Sequence, residues 1–303
     1  MNKIISLLER ALNSRGKKLT KANEYMFYSP FVTHYKPKLQ INISTQKWHC
    51  WISNKGGHSI YSLFKRLNVN KELYAELKGI FFVPTKTNDN EKQEAVVLPK
   101  EFIPLWRSNR SLYRGHAIKF LRDRGFDNYD IKKYKIGYCE DGLYQHRIII
   151  PSYDEHGMLN YFVGRSYMES GMKYKNPNVS KDVVGFDYFI AWSEPIVLCE
   201  GVFDAMSIRT NAIPMFGKKP PRKLLMKIFE KKVKTIYIAL DDDARKDAFK
   251  LSEFFIDFGI DTKVVNLPKD KDPNDLGFEK MSNLIAKTVS SSFSDTIEAR
   301  LYG

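Results

Sequence analysis

The sequence has no long hydrophobic run and little cysteine. No stretch approaches the ~18 consecutive apolar residues of a membrane-spanning helix, and Glu9 and Arg10 interrupt the N-terminal apolar cluster, which is too short for a secretory signal. Three cysteines in 303 residues, far apart, provide neither a disulfide framework nor a four-cysteine zinc site. We therefore expect no membrane partner and a cytoplasmic location.

A nucleotide-hydrolysing motor is also missing from the sequence. The P-loop motif G-x-x-x-x-G-K-[ST] does not occur, so any unwinding of nucleic acid would have to come from a partner. The apolar content of 43% and the charged content of 28% are those of a folded protein, which excludes disorder, collagen and coiled coil. The length of 303 residues indicates roughly two domains.

Negative charge is scarce in the first part of the chain. Residues 1–75 contain thirteen Lys or Arg against three Glu and no Asp, so they hold most of the net charge of +14. A strongly basic balance favours a polyanionic partner. This module is therefore expected to contact nucleic acid.

Two different patterns divide the chain. Residues 26–51 are aromatic and β-branched with alternation, which predicts two or three short antiparallel strands, and the pair Gly56-Gly57 predicts a turn before a short helix. Residues 86–95 are polar without an apolar period, which indicates a linker. From Pro195 onward, short apolar strands alternate with helices, and this predicts a parallel sheet covered on both faces.

Acidic residues follow three of the predicted parallel strands. IVLC is followed by Glu200, TIYIAL by Asp241-Asp242-Asp243, and TKVVNL by a loop with Asp272. Because the carboxyl ends of parallel strands share an edge, these carboxylates would repel one another unless a divalent cation neutralised them. An extended strand end would place Asp241 and Asp243 on the same side. A metal site is predicted; the alternative is that each acid is solvated or caps the following helix.

These segments carry a family resemblance. IVLCEGVFDAM, ALDDDARKDA and KDPNDLG resemble, in order and spacing, the three acidic motifs of the TOPRIM domain, which occurs in bacterial-type primases, type IA and II topoisomerases and some nucleases. Upstream, the segments AIKFLRDRGFDNYDIKKYKIGYCEDG, HRIIIPSYDEHGMLNYFVGRS and MKYKNPN resemble the basic subdomain before TOPRIM in DnaG-type primases, especially the short phage versions. The likeness extends from about Ser111 to Gly277.

The resemblance implies an α/β fold class. The expected domains are a TOPRIM-type parallel-sheet domain at 195–290, a basic α+β subdomain before it at 111–194 and a small zinc-ribbon-like β module at 1–75. A linker is expected at 76–110 and a tail at 291–303.

The resemblance also implies roles for acidic residues. The implied catalytic residues are Glu200, Asp204, Asp241 and Asp243, and the implied metal ligands are Glu200, Asp241, Asp243 and Asp272. In the last motif Asn274 stands where the family has a second acid, and Asp275 follows it, so this ligand is left open.

Basic positions are implied in the same way. The positions that match the family's nucleotide- and template-binding residues are Arg147, Arg165, Lys173, Lys175 and Lys181. The planar fork of Arg and the point charge of Lys both suit phosphate. The alternative is ordinary surface charge.

The N-terminal module resembles a zinc ribbon that has lost ligands. The four ligand positions contain Val32, His34, Cys50 and Ser53, so only His34 and Cys50 remain as vestigial zinc positions. A structural zinc needs four Cys or His ligands. We therefore expect no family-like zinc, with substitution by His49 or His58 left open.

Aromatic residues of this module are interleaved with lysines. Trp48 and Trp51 are candidates for stacking on template bases beside Lys36, Lys38 and Lys47. The alternative is that a small module buries its aromatics, and at least one of the two tryptophans is expected in the core.

The function that the resemblance implies is that of a DNA primase. Such an enzyme makes short RNA primers on single-stranded DNA from ribonucleoside triphosphates, with Mg²⁺ or Mn²⁺ as cofactor and a replicative helicase supplied in trans. The alternatives are a TOPRIM nuclease and a non-catalytic single-stranded-DNA-binding accessory factor. The intact Glu200, Asp241 and Asp243 argue against the non-catalytic accessory factor. A topoisomerase is disfavoured because the chain has no room for strand-gate domains.

Overall fold

The computed structural model describes residues 3–21, 23–57, 59–82, 96–168 and 171–288. These residues divide into two compact units. The first holds residues 3–82 and a short piece of a later helix, 253–259, and the second holds the remaining described residues. In the described ranges, no helix is both long and apolar enough to cross a bilayer.

The first unit has a five-stranded antiparallel sheet whose strands pair in chain order. Its elements are α1 Lys3–Leu12, β1 Lys17–Lys18, β2 Glu24–Phe27, β3 Leu39–Asn42, β4 Trp48–Cys50, β5 Gly56–Gly57, α2 Ile60–Leu67 and α3 Lys71–Phe82. The spacing of Leu7 and Leu8 in α1 and of Leu63 and Phe64 in α2 puts these side chains into a core with the inward face of the sheet. The predicted strands and the two amphipathic helices are present.

Two sequence-based expectations for this unit need correction. The predicted boundary at residue 75 falls inside α3, and Leu77 is fully buried in the core, so residues 76–82 belong to the module and not to a linker. Gly56 and Gly57 form strand β5 beside β4 and not only a turn. A Cβ on Gly57 would lie 2.5 Å from Trp48 Nε1, so glycine is needed there for close approach.

The second unit begins with another antiparallel sheet, in the order β10-β9-β8-β7-β6. Its elements are β6 Ile103–Pro104, α4 Leu112–Asp123, α5 Asn128–Lys133, β7 Gly137–Cys139, β8 Arg147–Tyr153, β9 Leu159–Ser166 and β10 Tyr174–Lys175. Ser111 caps α4 by accepting a hydrogen bond from the Tyr113 amide, and Asp127 and Asp130 form a capping box at α5.

Strand β6 corrects the predicted start of this subdomain. It lies at the sheet edge, upstream of residue 111, so the subdomain begins earlier than expected and the predicted linker is shorter. The polar segment on which the linker prediction depends, residues 86–95, and the predicted tail, residues 291–303, lie outside the described residues.

A four-stranded parallel sheet completes the second unit, in the order β12-β11-β13-β14. Its elements are β11 Ile196–Cys199, α6 Val202–Ile208, β12 Ala212–Pro214, α7 Arg222–Glu230, β13 Thr235–Ala239, α8 Arg245–Asp257, β14 Asp261–Val264 and α9 Pro273–Lys287. The α9 range is interrupted at Gly277, whose φ of 72° is left-handed. The predicted strand–helix alternation is confirmed.

The register of the parallel sheet positions the acidic loops. Cys199, the last residue of β11, lies opposite Ala239 of β13 and Pro214 of β12. The loops after these three strands therefore leave the sheet at the same edge.

Candidate active site

Three carboxylates meet at the carboxyl edge of the parallel sheet. Glu200 directly follows β11, and Asp241 and Asp243 lie just after β13. One carboxylate oxygen from each residue lies within 4.8 Å of the other two. Residues Asp242–Ala244 form a 3₁₀ turn, so Asp241 and Asp243 converge through this turn and not through the extended strand end that we expected.

The electrostatics of this triad favour a cation. Glu200 Oε1 and Asp241 Oδ1 are both buried and have no hydrogen-bond partner. Burial, reinforced by the charge of Asp241, raises the pKa of Glu200 to about 7, and burial with Asp272 nearby raises the pKa of Asp241. Buried carboxylate oxygens without donors are ligands that Mg²⁺ or Mn²⁺ would satisfy. The residues present therefore fit a divalent cation.

Lys218 is a neighbour of the triad that the sequence analysis missed. Its Nζ lies 2.7 Å from Asp243 Oδ2, and its charge lowers the pKa of Glu200 against the effect of burial. Lys218 lies in the loop after β12. The rule that ligands bind at the carboxyl ends of parallel strands could have found it, since the strand preceding this loop was predicted.

Asp204 and Asp272 lie beside the triad but outside the group of three close oxygens. Asp204 is buried in the first turn of α6, where its Oδ2 accepts a hydrogen bond from the Gly201 amide at 2.9 Å. Burial, with the charges of Asp241 and Asp272, raises the pKa of Asp204 to about 8. Asp272 caps α9 by accepting a hydrogen bond from the Asp275 amide at 2.7 Å. The charge of Asp272 also raises the pKa of Asp241, so Asp272 adds to the negative field of the triad.

The raised carboxylate pKa values predict how stability depends on pH. Between pH ~4.5 and ~8 the native state binds more protons at Glu200 and Asp204 than the unfolded state does, so raising the pH lowers the free energy of unfolding. A bound divalent cation would offset this loss. We expect Mn²⁺ to raise the melting temperature by roughly 2 °C or more at pH 8 and by less at pH 5.

Thermal melts with Mn²⁺ or EDTA at both pH values test this expectation. Glu200→Gln serves as the control, since it removes one repelling charge and should reduce the response to Mn²⁺. Equal responses at pH 5 and pH 8, or none, would contradict the role of these carboxyls.

Arg147 is held by hydrogen bonds to the backbone of a nearby loop. The residue is buried at the start of β8, and its guanidinium donates hydrogen bonds to the carbonyl oxygens of Met172 at 2.9 Å and Lys173 at 3.3 Å. Its donors thus hold the loop before β10. The structure indicates that Arg147 positions Lys173, while direct contact of Arg147 with template stays a prediction.

Arg165 is the best placed of the predicted basic residues. It lies on β9 opposite Tyr174 of β10, with its guanidinium carbon 4.6 Å from the centre of the Tyr174 ring. Its Nε is buried and has no hydrogen-bond partner. Lys173 and Lys175 flank Tyr174, and Lys181 is exposed further along the chain. Phosphate binding by these four residues stays a prediction.

Arg124 is a second basic residue that the sequence analysis missed. It follows α4, and its guanidinium carbon lies 5.0 Å from the ring centres of both Phe120 and Phe203. Its charge also lowers the pKa of Tyr174, against the larger effect of burial. No local motif marks this position, because the contact to Phe203 joins residues far apart in the sequence.

Comparisons with known proteins agree with this geometry. Residues 197–277 match the family model described as Toprim-like. Residues 197–277 have a Toprim-type fold. The match covers β11 to the first part of α9 and includes the triad with Lys218, Asp204 and Asp272.

The Toprim-type segment and the rest of the chain are similar to DNA primases. A DNA primase of Clostridium acetobutylicum is 22% identical over 333 residues, which cover 88% of this chain and 54% of that protein. The chain thus spans about half the length of this curated relative. The structure of the zinc-binding and RNA polymerase domains of the Aquifex aeolicus primase is 18% identical, with a TM-score of 0.52, covering 96% of this chain and 84% of that one.

A solved DnaG primase catalytic domain bound to single-stranded DNA is also similar. It is 16% identical with a TM-score of 0.55, over 64% of this chain and 77% of that chain. At such low identities these likenesses show the fold. The resemblance to DnaG-type primases that the motifs indicated is therefore confirmed.

The two candidate tryptophans of the first unit, which lies upstream of the Toprim-type segment, differ in burial. Trp48 is only 3% exposed, its Nε1 donates to Ser62 Oγ at 3.0 Å, and its ring stacks on Phe31. It is a core residue, which corrects its selection as a stacking candidate. Trp51 is 62% exposed, near the edge of His49.

The two tryptophans should therefore respond differently to replacement. Trp48→Ala is expected to lower the stability of the first unit by about 3 to 5 kcal/mol, because it empties a core site. Trp51→Ala should leave the melting temperature unchanged and weaken binding of single-stranded DNA by about 1 to 3 kcal/mol. Melting curves and fluorescence anisotropy at two salt concentrations check both, and unchanged binding by Trp51→Ala would remove Trp51 from the interface.

The vestigial zinc positions have other partners. The buried Cys50 thiol lies 3.2 Å from Ser29 Oγ; burial opposes its ionisation, but hydrogen bonds with Ser29 and Ser53 lower its pKa to about 7. His34 Nδ1 accepts a hydrogen bond from the Lys36 amide at 3.0 Å. His58 lies outside the described residues.

The absence of a family-like zinc stays a prediction. Val32 and Ser53 cannot replace a thiolate or imidazole. Metal analysis of the dialysed protein is expected to find well under one zinc per chain, and one tightly held zinc would contradict this.

Proposed function

We propose that this chain is a DNA primase that extends RNA on single-stranded DNA by metal-dependent nucleotidyl transfer. The observation that carries the proposal is the triad of Glu200, Asp241 and Asp243, with two buried oxygens that no donor satisfies. Nucleotidyl transfer from a triphosphate builds negative charge at the reacting phosphate, and acidic residues at a strand edge can hold the cations that offset it.

The acidic residues would hold the cofactor, Mg²⁺ or Mn²⁺. Bound by Glu200, Asp241 and Asp243, the ion would act as a Lewis acid that lowers the pKa of the attacking 3′-hydroxyl and neutralises phosphate charge. Glu200 Oε1 is uncommitted to any donor, so it can act as a ligand or accept the hydroxyl proton. Lys218 Nζ, exposed beside Asp243, is available to pair with a phosphate oxygen once Asp243 has another partner.

The basic residues would bind the two polyanionic substrates. Arg165 offers a half-buried guanidinium whose carbon lies 4.6 Å from the centre of the Tyr174 ring, and the planar fork of such a group suits a phosphate. Lys173, presented by the Arg147 contacts, and Lys175 lie on the same strand or just before it. We assign this surface to the triphosphate and the template backbone.

A second template contact is proposed on the loop before α4. Exposed Trp106, Arg107 and Arg110 of this loop, with Tyr113 in the first turn of α4, combine aromatic rings with positive charge. The loop is held by two hydrogen bonds from Arg114, to the carbonyl oxygens of Arg107 and Leu105, each at 3.1 Å. The exposed Trp51 of the first unit would also contact the template, and a helicase would be supplied in trans.

An incorporation assay tests the proposal against its alternatives. The full-length protein is incubated with labelled ribonucleoside triphosphates, single-stranded DNA and Mg²⁺ or Mn²⁺. A primase produces short, alkali-labile RNA. A nuclease would instead shorten end-labelled DNA, and an accessory factor would bind DNA with neither product. Either of these two results would overturn the proposal.

A further inference from the structure

Asn274 makes contacts that explain why this chain has an amide where the TOPRIM motif has a second acid. Its Oδ1 accepts a hydrogen bond from Arg124 Nη1 at 2.6 Å. Its Nδ2 donates to the backbone carbonyl of the same Arg124 at 3.2 Å and to Ser207 Oγ at 2.8 Å. The Asn274 amide is therefore hydrogen-bonded to both the guanidinium and the backbone carbonyl of Arg124.

A carboxylate could not make this set of contacts. It would accept from the Arg124 guanidinium, but its other oxygen would face the Arg124 carbonyl oxygen, and two acceptors at that separation repel. Of Asn and Asp, only Asn can hydrogen-bond to both the guanidinium and the backbone carbonyl of Arg124. Its presence is not a simple loss of a metal ligand.

The contacts join three elements around the acidic site. Arg124 follows α4 and is packed between Phe120 and Phe203, Ser207 is buried in α6, and Asn274 lies in the first turn of α9. We call Arg124, Ser207 and Asn274 the clasp. Each of the helices α6 and α9 also carries an acid of the site in or beside its first turn, Asp204 and Asp272.

Like charges oppose the arrangement that the clasp holds. The Asp270 amide donates a hydrogen bond to Asp242 Oδ2 at 3.5 Å, so the loop that holds Asp272 lies against the turn beside Asp241, where like charges repel. The clasp ties the loop of Asp272 to α6 against this repulsion with three hydrogen bonds, one of them from a charged donor.

We propose that Asn274 is a positioning residue, which acts with Arg124 and Ser207 to hold Asp272 beside the triad for divalent-cation binding, and is not itself a ligand. The inference rests on the proposed function, since it assigns a role at the same site. Groups that orient metal ligands typically change metal affinity by about 10- to 100-fold when they are replaced.

The test is the affinity of the full-length protein for Mn²⁺, measured by electron paramagnetic resonance of the free ion, which needs no catalytic activity. Asn274→Asp restores the family's acid and adds a negative charge near the site. A ligand position would then bind Mn²⁺ more tightly. The clasp predicts the opposite, a dissociation constant raised by about 10-fold or more.

Asn211 provides a matched control. Its Nδ2 donates to the carbonyl oxygens of Ala191 at 3.0 Å and Pro195 at 2.9 Å, so Asn211→Asp introduces the same carboxylate-to-carbonyl repulsion with no contact to an acidic loop. Its Mn²⁺ affinity is expected to stay within about twofold of the wild type, whatever happens to its melting temperature.

Arg124→Lys changes the residue that donates to Asn274, and it provides the test of the clasp if Asn274→Asp does not fold. Lysine keeps the charge but not the guanidinium fork, so Mn²⁺ affinity is again expected to fall about 10-fold. Unchanged or tighter binding in the folded variants, or no Mn²⁺ binding by the wild type, would overturn the proposal. Wild-type Mn²⁺ binding without primer synthesis would instead refute the proposed function and leave the clasp intact.

Discussion

Asp241→Asn is expected to lower primer synthesis by at least roughly 10²- to 10³-fold without unfolding the protein. The replacement removes a carboxylate from the group of three close oxygens and leaves the side-chain volume nearly unchanged. Because burial and neighbouring acids already raise the pKa of Asp241, its neutral replacement should keep or increase the melting temperature when no metal is added. A loss of activity with gained stability would be typical of a functional residue.

Asp242 is the matched control for this experiment. It follows Asp241 directly, begins the 3₁₀ turn that Asp241 precedes and lies outside the triad. Asp242→Asn should keep activity within a few-fold of the wild type. Labelled ribonucleotide incorporation and a melting curve are measured for both variants. Equal activity of the two would contradict the assignment of Asp241.

Arg165→Gln is expected to have the second largest effect, a rise of about 10- to 100-fold in the KM for ribonucleotide or template. The guanidinium that is held against Tyr174 is lost, and with it a charge-assisted contact to phosphate worth about 1.5 to 3 kcal/mol. Because Arg165 is half-buried and its Nε already has no partner, stability should change little. Arg165→Lys should recover only part of the loss, since lysine lacks the planar fork.

Lys135 offers a control of the same geometry. Its Nζ lies 4.7 Å from the centre of the Tyr153 ring, and Tyr153 ends the strand that Arg147 begins. Since β8 has seven residues, the two ends are about 20 Å apart. Lys135→Gln also removes a cation from a tyrosine ring, but this ring is far from Arg165, so the variant should leave the KM unchanged. Similar KM values for Arg165→Gln and the wild type would remove Arg165 from the substrate surface.

The acidic site was predictable because it depends on local order and one topological rule. Glu200 and Asp241 each come soon after an apolar strand, and parallel strands bring their carboxyl ends to one edge, so the two residues had to be neighbours once β11 and β13 paired. The path of the chain after β13 was not predictable in the same way. The sequence indicated an extended end, while Asp242–Ala244 forms a 3₁₀ turn.

Long-range contacts were beyond the sequence patterns. The hydrogen bonds between Arg124 and Asn274 join residues 150 positions apart, and no helical or strand period encodes them. The sequence therefore showed that Asn274 departs from the family's acidic pattern but not why. Arg147 is a similar case, since its buried contacts with the loop carbonyls become visible only when β8 and β10 are placed in one sheet.

The two tryptophans show a limit of strand patterns. At least one of Trp48 and Trp51 was expected in the core, because a small module has to bury aromatic side chains. The pattern alone did not say which face is buried. The helices α1, α2 and α3 pack with the sheet in one core, and that core includes Trp48. The extent of α3 was missed because charged and apolar residues are mixed along Lys71–Phe82.

The central claim is that the triad supports template-directed RNA synthesis, and a template exchange tests it most directly. The wild-type protein is given Mn²⁺ or Mg²⁺, all four ribonucleotides and, in parallel, two single-stranded DNAs of different known sequence. We expect alkali-labile products whose sequences are complementary to the template supplied, and we expect these products to be lost with EDTA and in Asp241→Asn. Products with the same sequence on both templates, or synthesis that survives Asp241→Asn, would contradict it.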